Sequence, residues 1–185
     1  SGETHLLSAF FQVMSASTTA GFNTVPVGNL KSGALLILII AMVIGASPSG
    51  TGGGIKTTSI SVLYGIVASV MRGQTQNITF MKRNIPYSRI FTAVAASATY
   101  ITLLMTSIYL LTLTESFSFL ELSFETASAL GTVGLSMGIT SSLSAWGKLI
   151  LTLTMFLGRV GPLTLGIAFF KSESKVIPCK SDLAT

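Results

Sequence analysis

Short apolar stretches that end in glycine-containing turns are the first pattern along this chain. Residues 6–16 and 122–130 are apolar but too short to cross a bilayer, which takes about 20 residues per helix. Each runs directly into a polar turn, at 17–23 and at 131–138. An apolar helix that ends in such a turn at membrane depth is typical of a re-entrant element. The pattern therefore predicts two short pore helices, each followed by a loop.

Longer apolar stretches predict helices that cross the membrane, two of them broken. Residues 30–44 predict half a crossing that stops at the glycine-rich segment Gly45–Lys56, and helix is predicted to resume at 57–71. Residues 90–113 contain no charge and predict the clearest full crossing. Residues 146–170 predict a last crossing, interrupted at Gly158–Pro162. Helices with a flexible polar interruption point to a binding or gating region in a transporter.

Composition supports a membrane protein. Of 185 residues, 49% are hydrophobic and 9% are charged, with a mean hydropathy of +0.73, whereas soluble domains carry about 25% charged residues. The net charge is +5, but the basic residues do not alternate with aromatic ones, so nucleic acid is not a predicted partner. Cys179 has no partner for a disulfide or metal site, and no nucleophile, paired-carboxylate or metal constellation occurs. No enzyme activity and no cofactor are predicted.

Charge also predicts orientation. The basic segment from Arg72 to Arg89 and the lysine-rich tail from Lys171 should be cytoplasmic, because basic residues concentrate on that side. The acidic segment 114–125 carries three glutamates and should then face outwards, together with both short helices. The chain lacks an initiating Met and a signal peptide, and we expect it to be a piece of a longer protein.

An internal repeat relates the two turns. A constant offset of 113 residues, the interval from Gly21 to Gly134, superimposes a series of identical residues. The matched pairs are Phe11 with Phe124, Ser15 with Ser128, Ala16 with Ala129, Thr19 with Thr132, Met42 with Met155, and Gly45 with Gly158. Repeats of this kind are typical of membrane transport folds. The predicted organisation is one pore unit at 1–73, a cytoplasmic loop at 74–89, a complete second repeat at 90–170 and a cytoplasmic tail at 171–185.

The two turns are candidate selectivity filters. Their carbonyl oxygens would replace the hydration shell of a monovalent cation, and the preceding helix C-termini would add negative potential. The candidate ion-binding residues are Thr18, Thr19, Ala20, Gly21, Phe22, Asn23, Gly131, Thr132, Val133, Gly134, Leu135 and Ser136. The simpler alternative is a pair of glycine turns that merely end helices. The second turn resembles a potassium-channel filter without its Tyr-Gly ending, which predicts a less regular and less selective site.

Three motifs together resemble the Ktr/Trk/HKT superfamily of potassium transporters: Ser17–Thr24, Gly45–Thr58 and Gly158–Pro162. The resemblance covers about residues 10–170 and is strongest to the C-terminal half of a bacterial Ktr-type membrane subunit. It implies an all-α membrane protein of repeated membrane helix–pore helix–membrane helix units with re-entrant filter loops and broken inner helices. Four such repeats surround one path in the family, and this chain resembles the end of the third and the whole fourth.

The resemblance also implies a gate below the filter. The implied gating residues are Gly45, Ser49, Gly50, Thr51, Gly52, Gly53, Gly54, Lys56 and Arg159. A phosphate-binding loop is an alternative for the glycines, but Ile55 separates Gly54 from Lys56 and breaks that motif. A plain linker is another. Arg159, placed by the sequence inside an apolar helix, would project into the path, or would tie carbonyl groups together as a structural residue.

The implied function is potassium uptake across the cell membrane by a multi-pass protein, with potassium as the substrate and sodium as a further ion. The implied partners are the remaining pore repeats, a second copy in a homodimer, a cytoplasmic nucleotide-binding RCK/KTN ring and the lipid bilayer. Two other classes stay open at this point. One is a tetrameric two-helix cation channel, which has one filter per chain, and the other is a non-conducting membrane assembly subunit whose glycines serve close helix packing.

Overall fold

Six α-helices dominate the computed structural model, which describes residues 2–45, 52–73, 79–80, 83–161 and 164. The helices are α1 (Gly2–Ser17), α2 (Ser32–Val43), α3 (Thr57–Met71), α4 (Tyr87–Thr114), α5 (Phe119–Leu130) and α6 (Ala145–Val160). Two 3₁₀ turns, Val27–Asn29 and Thr140–Ser142, precede α2 and α6. A small antiparallel pair, β1 (Thr79–Phe80) with β2 (Arg83–Asn84), lies in the basic segment and was not predicted. The all-α prediction is confirmed.

Two units of the chain repeat with the same register. We call α1, its turn and α2 (residues 2–43) the first pore unit, and α5, its turn and α6 (residues 119–160) the second pore unit. With the 113-residue offset, the last residue of α1 falls on the last of α5, and the first residue of α2 falls on the first of α6. The two 3₁₀ turns also coincide. The repeat read from side chains is therefore present in the backbone.

The acidic segment 114–125 is a loop only between α4 and α5, and its outward orientation stays a prediction. α4 continues to Thr114 and α5 begins at Phe119, so Glu121 and Glu125 are helical. Ser118 and Glu121 form a capping box at the start of α5, in which each side chain accepts from the other residue's backbone N–H. Glu115 accepts hydrogen bonds from the backbone N–H of Ser144 (3.1 Å) and from its hydroxyl (2.5 Å), next to the start of α6. Acidic residues here organise helix ends, which explains their clustering.

The core forms around α5. This helix packs against α2, α4 and α6, and all its residues from Leu122 to Leu130 are buried. Phe124 and Leu130 join Met42 of α2 and Tyr100 of α4 in one apolar cluster. Ser107 of α4 accepts a hydrogen bond from Thr154 of α6 (3.1 Å), which ties the second pore unit to its outer helix.

One helix among the described residues, α4, is long and apolar enough to cross a bilayer. α1, α2 and α3 are apolar but shorter. Large apolar side chains such as Phe91, Met105 and Tyr109 are exposed along α4, as expected for a helix whose outer face meets lipid. α6 ends at Val160, with Gly161 as its C-cap at φ of 90°, which lies inside the predicted interruption Gly158–Pro162. Of the predicted continuation to residue 170, the structure describes only residues 161 and 164.

Candidate functional site

The two turns after α1 and α5 have the same backbone conformation. Each is a Schellman ending: Ala20 N donates to Ser15 O (3.0 Å) and Thr19 N to Ala16 O (3.4 Å). The matching bonds of the second turn, from residues 133 and 132, measure 2.9 and 3.1 Å. Glycine usually occupies the left-handed position of this motif, yet threonine holds it in both turns. Its φ is 59° at Thr19 and 54° at Thr132.

A left-handed threonine is costly, by about 1–2 kcal/mol per residue relative to the right-handed region. The glycine two residues later also has positive φ, 75° at Gly21 and 90° at Gly134. Two left-handed residues so close together stop the helix and let the next segment extend. The sequence pattern Thr-x-Gly thus encodes a particular turn, and it does so twice.

The two turns face each other. A Cβ on Gly21 would collide with the carbonyl oxygen of Val133, and it would lie 3.5 Å from Cα of Gly134. A Cβ on Gly134 would lie 3.9 Å from Cα of Gly21. The carbonyl of Val133 is therefore directed at the first turn. The helix C-termini of α1 and α5, which carry negative partial charge, converge on this region.

Three of the predicted filter residues make hydrogen bonds within the protein. The carbonyl oxygen of Phe22 accepts a hydrogen bond from the Ser15 hydroxyl (2.5 Å), which fixes that peptide to α1. The Asn23 amide donates to Val25 O (3.4 Å). The Ser136 hydroxyl donates to Glu125 Oε1 (2.6 Å). The bonds from Ser15 and to Glu125 hold the segments that follow Gly21 and Gly134 to their own pore helices, whereas the Asn23 bond stays within its loop.

The two ends of the glycine-rich segment that follows α2 are hydrogen-bonded to each other. Ile44 and Ile55 form a parallel bridge, in which Gly45 N donates to Ile55 O (3.1 Å) and Ile55 N donates to Val43 O (2.9 Å). Lys56 donates from Nζ to Gly52 O (2.5 Å). The two ends of the segment are thereby latched together. Ser49, Gly50 and Thr51, three of the predicted gating residues, lie outside the described residues.

Gly53 joins this segment to the second turn. Its N–H donates to the Thr132 hydroxyl (2.9 Å), across 79 residues of sequence. A Cβ at this position would lie 2.6 Å from the carbonyl oxygen of Gly131, closer than real Cβ atoms approach, so only glycine fits here without a shift. The glycine-rich segment therefore lies directly against the candidate filter. Thr132 combines its unusual backbone conformation with this contact.

Arg159 and Lys56 line one cavity of about 430 Å³ with Gly52–Ile55, Tyr100 and Gly158. Arg159, in the last turn of α6, is exposed on the surface of this chain, and its burial within a complete transporter stays a prediction. Gly158, one residue earlier, brings α6 against the carbonyl group of Leu130 at the end of α5. The predicted proximity of Arg159 to the glycine-rich segment is consistent with this geometry.

Sequence reasoning missed two residues of this region, Gln12 and Glu125. Both are 5% exposed, and they occupy equivalent positions on the pore helices α1 and α5. Gln12 Oε1 accepts from Thr24 N (3.3 Å), and Glu125 Oε1 accepts from Met137 N (2.9 Å). Residues 24 and 137 are themselves equivalent. Extending the 113-residue offset to non-identical pairs would have found them.

Comparison with known proteins identifies the family. The TrkH cation transport protein family matches residues 2–177. The chain is 40% identical to the Ktr system potassium uptake protein B of Bacillus subtilis over 172 residues and to that of Vibrio alginolyticus over 176 residues. These matches cover 93% and 95% of this chain. The Potassium/sodium uptake protein NtpJ of Enterococcus hirae is 32% identical over 164 residues, or 86% of this chain.

A solved structure has the same fold. The potassium transporter TrkH from Vibrio parahaemolyticus superimposes with a TM-score of 0.72 at 24% identity, over 89% of this chain and 37% of that one. The chain spans 38% of the length of the two Ktr system proteins and 36% of NtpJ. The predicted relationship to potassium transporters is confirmed. This chain belongs to the TrkH family of cation transport proteins.

Proposed function

We propose that this chain supplies two adjacent walls of a potassium path through the cell membrane. The observation that carries the proposal is the approach of Gly21 and Gly134, 113 residues apart, in turns of the same left-handed geometry. Two glycine turns that only end their helices would not be expected to lie in contact with each other. Two equivalent turns that meet at the ends of two pore helices are what a path lined by repeats requires.

Backbone oxygens would do the chemistry of this path. A potassium ion that enters a narrow site must exchange its water for fixed oxygens, and carbonyl groups of extended turns provide them. The candidate ligands are the carbonyls of residues 18–23 and 131–136, with Val133 already directed at the opposite turn. The C-termini of α1 and α5 add negative potential at the same place. Potassium would move down its electrochemical gradient.

Gating would fall to the glycine-rich segment Gly45–Gly54, with Lys56 and Arg159 beside it. Gly53 contacts Gly131 and Thr132, so the segment lies where it would obstruct an ion that leaves the second turn. Lys56 and Arg159 would place positive charge in the same cavity. Loosening the latch between Ile44 and Ile55 would let the obstruction move.

The assembly would include more than this chain provides. The remaining pore repeats would close the path, a second copy would form a homodimer, and a cytoplasmic nucleotide-binding ring of the RCK/KTN type would set the gate. Two of the relatives are named as parts of a Ktr system, and NtpJ is named for potassium and sodium, which supports potassium as the substrate and sodium as a further ion. The basic segment 72–89 and the lysine-rich tail would meet the ring or anionic lipid.

The test is cation preference in the complete transporter that contains this chain, expressed in bacteria that lack potassium uptake. Gly134→Ser should lower the preference for potassium over sodium, because a side chain at φ of 90° strains the turn. Gly73→Ser is the matched control, since Gly73 also has positive φ (72°) and open space around it but lies at the end of α3, far from the turns in sequence. Unchanged preference in Gly134→Ser, with normal uptake, would refute the filter.

Deleting residues 50–54 tests the gate separately. Uptake should rise in a well-folded variant if the glycine-rich segment is the obstruction. Unchanged or lost uptake in a well-folded variant would count against gating. A tetrameric channel does not account for two filter turns in one chain, and a non-conducting assembly subunit predicts no effect of Gly134→Ser on cation preference.

A further inference from the structure

A buried side chain on each pore helix is hydrogen-bonded to the segment that follows its filter turn. In the second pore unit, Glu125 accepts from Met137 N (2.9 Å) and from the Ser136 hydroxyl (2.6 Å) at Oε1. It accepts from the Thr140 hydroxyl (3.0 Å) at Oε2. Three donors therefore satisfy a carboxylate that is 5% exposed. Without them, burial of this charge would be unfavourable by several kcal/mol.

The first pore unit has an amide at the same place with a much weaker hold. Gln12 accepts one bond, from Thr24 N at 3.3 Å, and its Nε2 is buried without a hydrogen-bond partner. The residues equivalent to Ser136 and Thr140 are Asn23 and Val27. Valine cannot donate a hydrogen bond, and the Asn23 amide donates to Val25 O instead (3.4 Å). A carboxylate at position 12 would lack the donors that Glu125 has, which explains why the amide stands there.

These hydrogen bonds restrain the two filter segments to different degrees. The second turn is fixed at its start by the Schellman bonds to α5, and three residues after Gly134 by Glu125. Gly138 N also donates to the Ser136 hydroxyl (2.9 Å), which extends the bonded group into the following loop. The first turn has the same start and a short bond from the Ser15 hydroxyl to Phe22 O (2.5 Å), but at residue 24, where the second unit has the Glu125 bonds, it has only the long Gln12 bond. A short, charge-assisted hydrogen bond constrains geometry more than a long neutral one.

Resting on the proposed function, we propose that Glu125 and Gln12 are paired positioning residues, and that the firmer hold by Glu125 makes the second pore unit the main determinant of cation preference. Neither side chain touches the ion. Each acts through the backbone segment that carries candidate carbonyl ligands, residues 20–24 in the first unit and 133–137 in the second. A ligand displaced by about 1 Å is enough for a large functional effect.

The experiment compares uptake of potassium and sodium by the complete transporter, with KM and Vmax measured for each ion. Glu125→Leu removes all three bonds and should lower the potassium-to-sodium preference by about tenfold or more. Gln12→Leu removes one long bond and should lower it by less than about threefold. Met105→Leu, at an exposed position of α4, is the control for substitution in the membrane.

Glu125→Gln separates position from charge. The amide can still accept from Met137 N and Ser136 and can donate to Thr140, so the preference should stay within about threefold of the wild type. An equal loss of preference in Glu125→Gln and Glu125→Leu would overturn the proposal, because charge rather than position would then control the ion. Unchanged preference in Glu125→Leu, with normal uptake, would also overturn it.

A second variant tests the proposal if Glu125→Leu fails to fold. If Glu125→Leu does not reach the membrane, the double variant Ser136→Ala with Thr140→Val keeps the carboxylate and its bond to Met137 N. It should still lower the preference, and a wild-type ratio would contradict the proposal. Failure of the proposed function would look different. The Gly134→Ser variant would then have the same potassium-to-sodium preference as the wild type, whatever the Glu125 variants show.

Discussion

The two pore units share one backbone plan but differ in how firmly each part is held. The same 113-residue offset aligns their helix ends, their left-handed turns and their 3₁₀ turns. Yet Phe124 of α5 is fully buried while its equivalent, Phe11 of α1, is 43% exposed. α5 is covered by α2, α4 and α6, whereas α1 packs mainly on α2 within the described part of the chain. Local sequence therefore fixes the turn, and neighbouring helices decide burial.

The units also differ in what their threonines and glycines contact. Thr132 accepts a hydrogen bond from Gly53, while the hydroxyl of Thr19 has no such contact among the described residues. A Cβ on Gly21 would meet the Val133 carbonyl, but a Cβ on Gly134 would have more room. Equivalent residues thus have different surroundings. The same substitution made in each unit should therefore change stability or uptake by different amounts.

The largest difference should be between Gly21→Ala and Gly134→Ala. Both variants place a side chain at positive φ, at about 1–2 kcal/mol each. Gly21→Ala also collides with the Val133 carbonyl, which should add about 1–3 kcal/mol of overpacking. Thermal unfolding in detergent should therefore show Gly21→Ala as the less stable protein. Equal unfolding temperatures would mean that the two turns do not meet.

A medium effect is expected for Thr132→Val against Thr19→Val. Valine keeps the shape of threonine but cannot accept the bond from Gly53 N, so Thr132→Val should lower stability by about 1 kcal/mol. It should also speed potassium uptake, because the glycine-rich segment loses a tether to the second turn. Thr19→Val should do neither. Faster uptake in both variants, or in neither, would contradict the proposed role of this contact.

The smallest effect concerns the link from the second unit to α4. Thr154→Val removes the hydrogen bond to Ser107, and such bonds between membrane helices contribute about 0.6 kcal/mol. The equivalent residue of the first unit is Ala41, which has no hydroxyl. Thr152→Val is the control, since the Thr152 hydroxyl donates to Lys148 O within its own helix. A loss for Thr152→Val as large as for Thr154→Val would show that the link itself contributes nothing.

Local pattern predicted much of this fold. The predicted helix at 57–71 matches α3, and the predicted crossing at 90–113 lies within α4. The turns were found because Thr-x-Gly encodes a local backbone conformation that needs no distant partner. The offset between them predicted that Gly21 and Gly134 would share one site, and the structure brings these two glycines together. Whether ions bind there stays a prediction.

Long-range contacts and charge were harder to interpret. Glu125 was placed at the end of the acidic segment and inside the predicted helix 122–130, but charge alone does not reveal the three hydrogen-bond donors that residues 136–140 bring to it. The bond from Gly53 to Thr132 joins segments that no local pattern connects. Arg159 is exposed on this chain, and hydropathy describes its helix but not the face on which it lies.

The measurement that most directly tests the central claim is the position of rubidium, a potassium substitute, by anomalous scattering from crystals of the complete transporter. Our account expects a rubidium peak between the turn that contains Gly21 and the turn that contains Gly134, with backbone carbonyl oxygens of both turns as ligands. Rubidium bound elsewhere in the membrane region, with no ion between these turns, would contradict it.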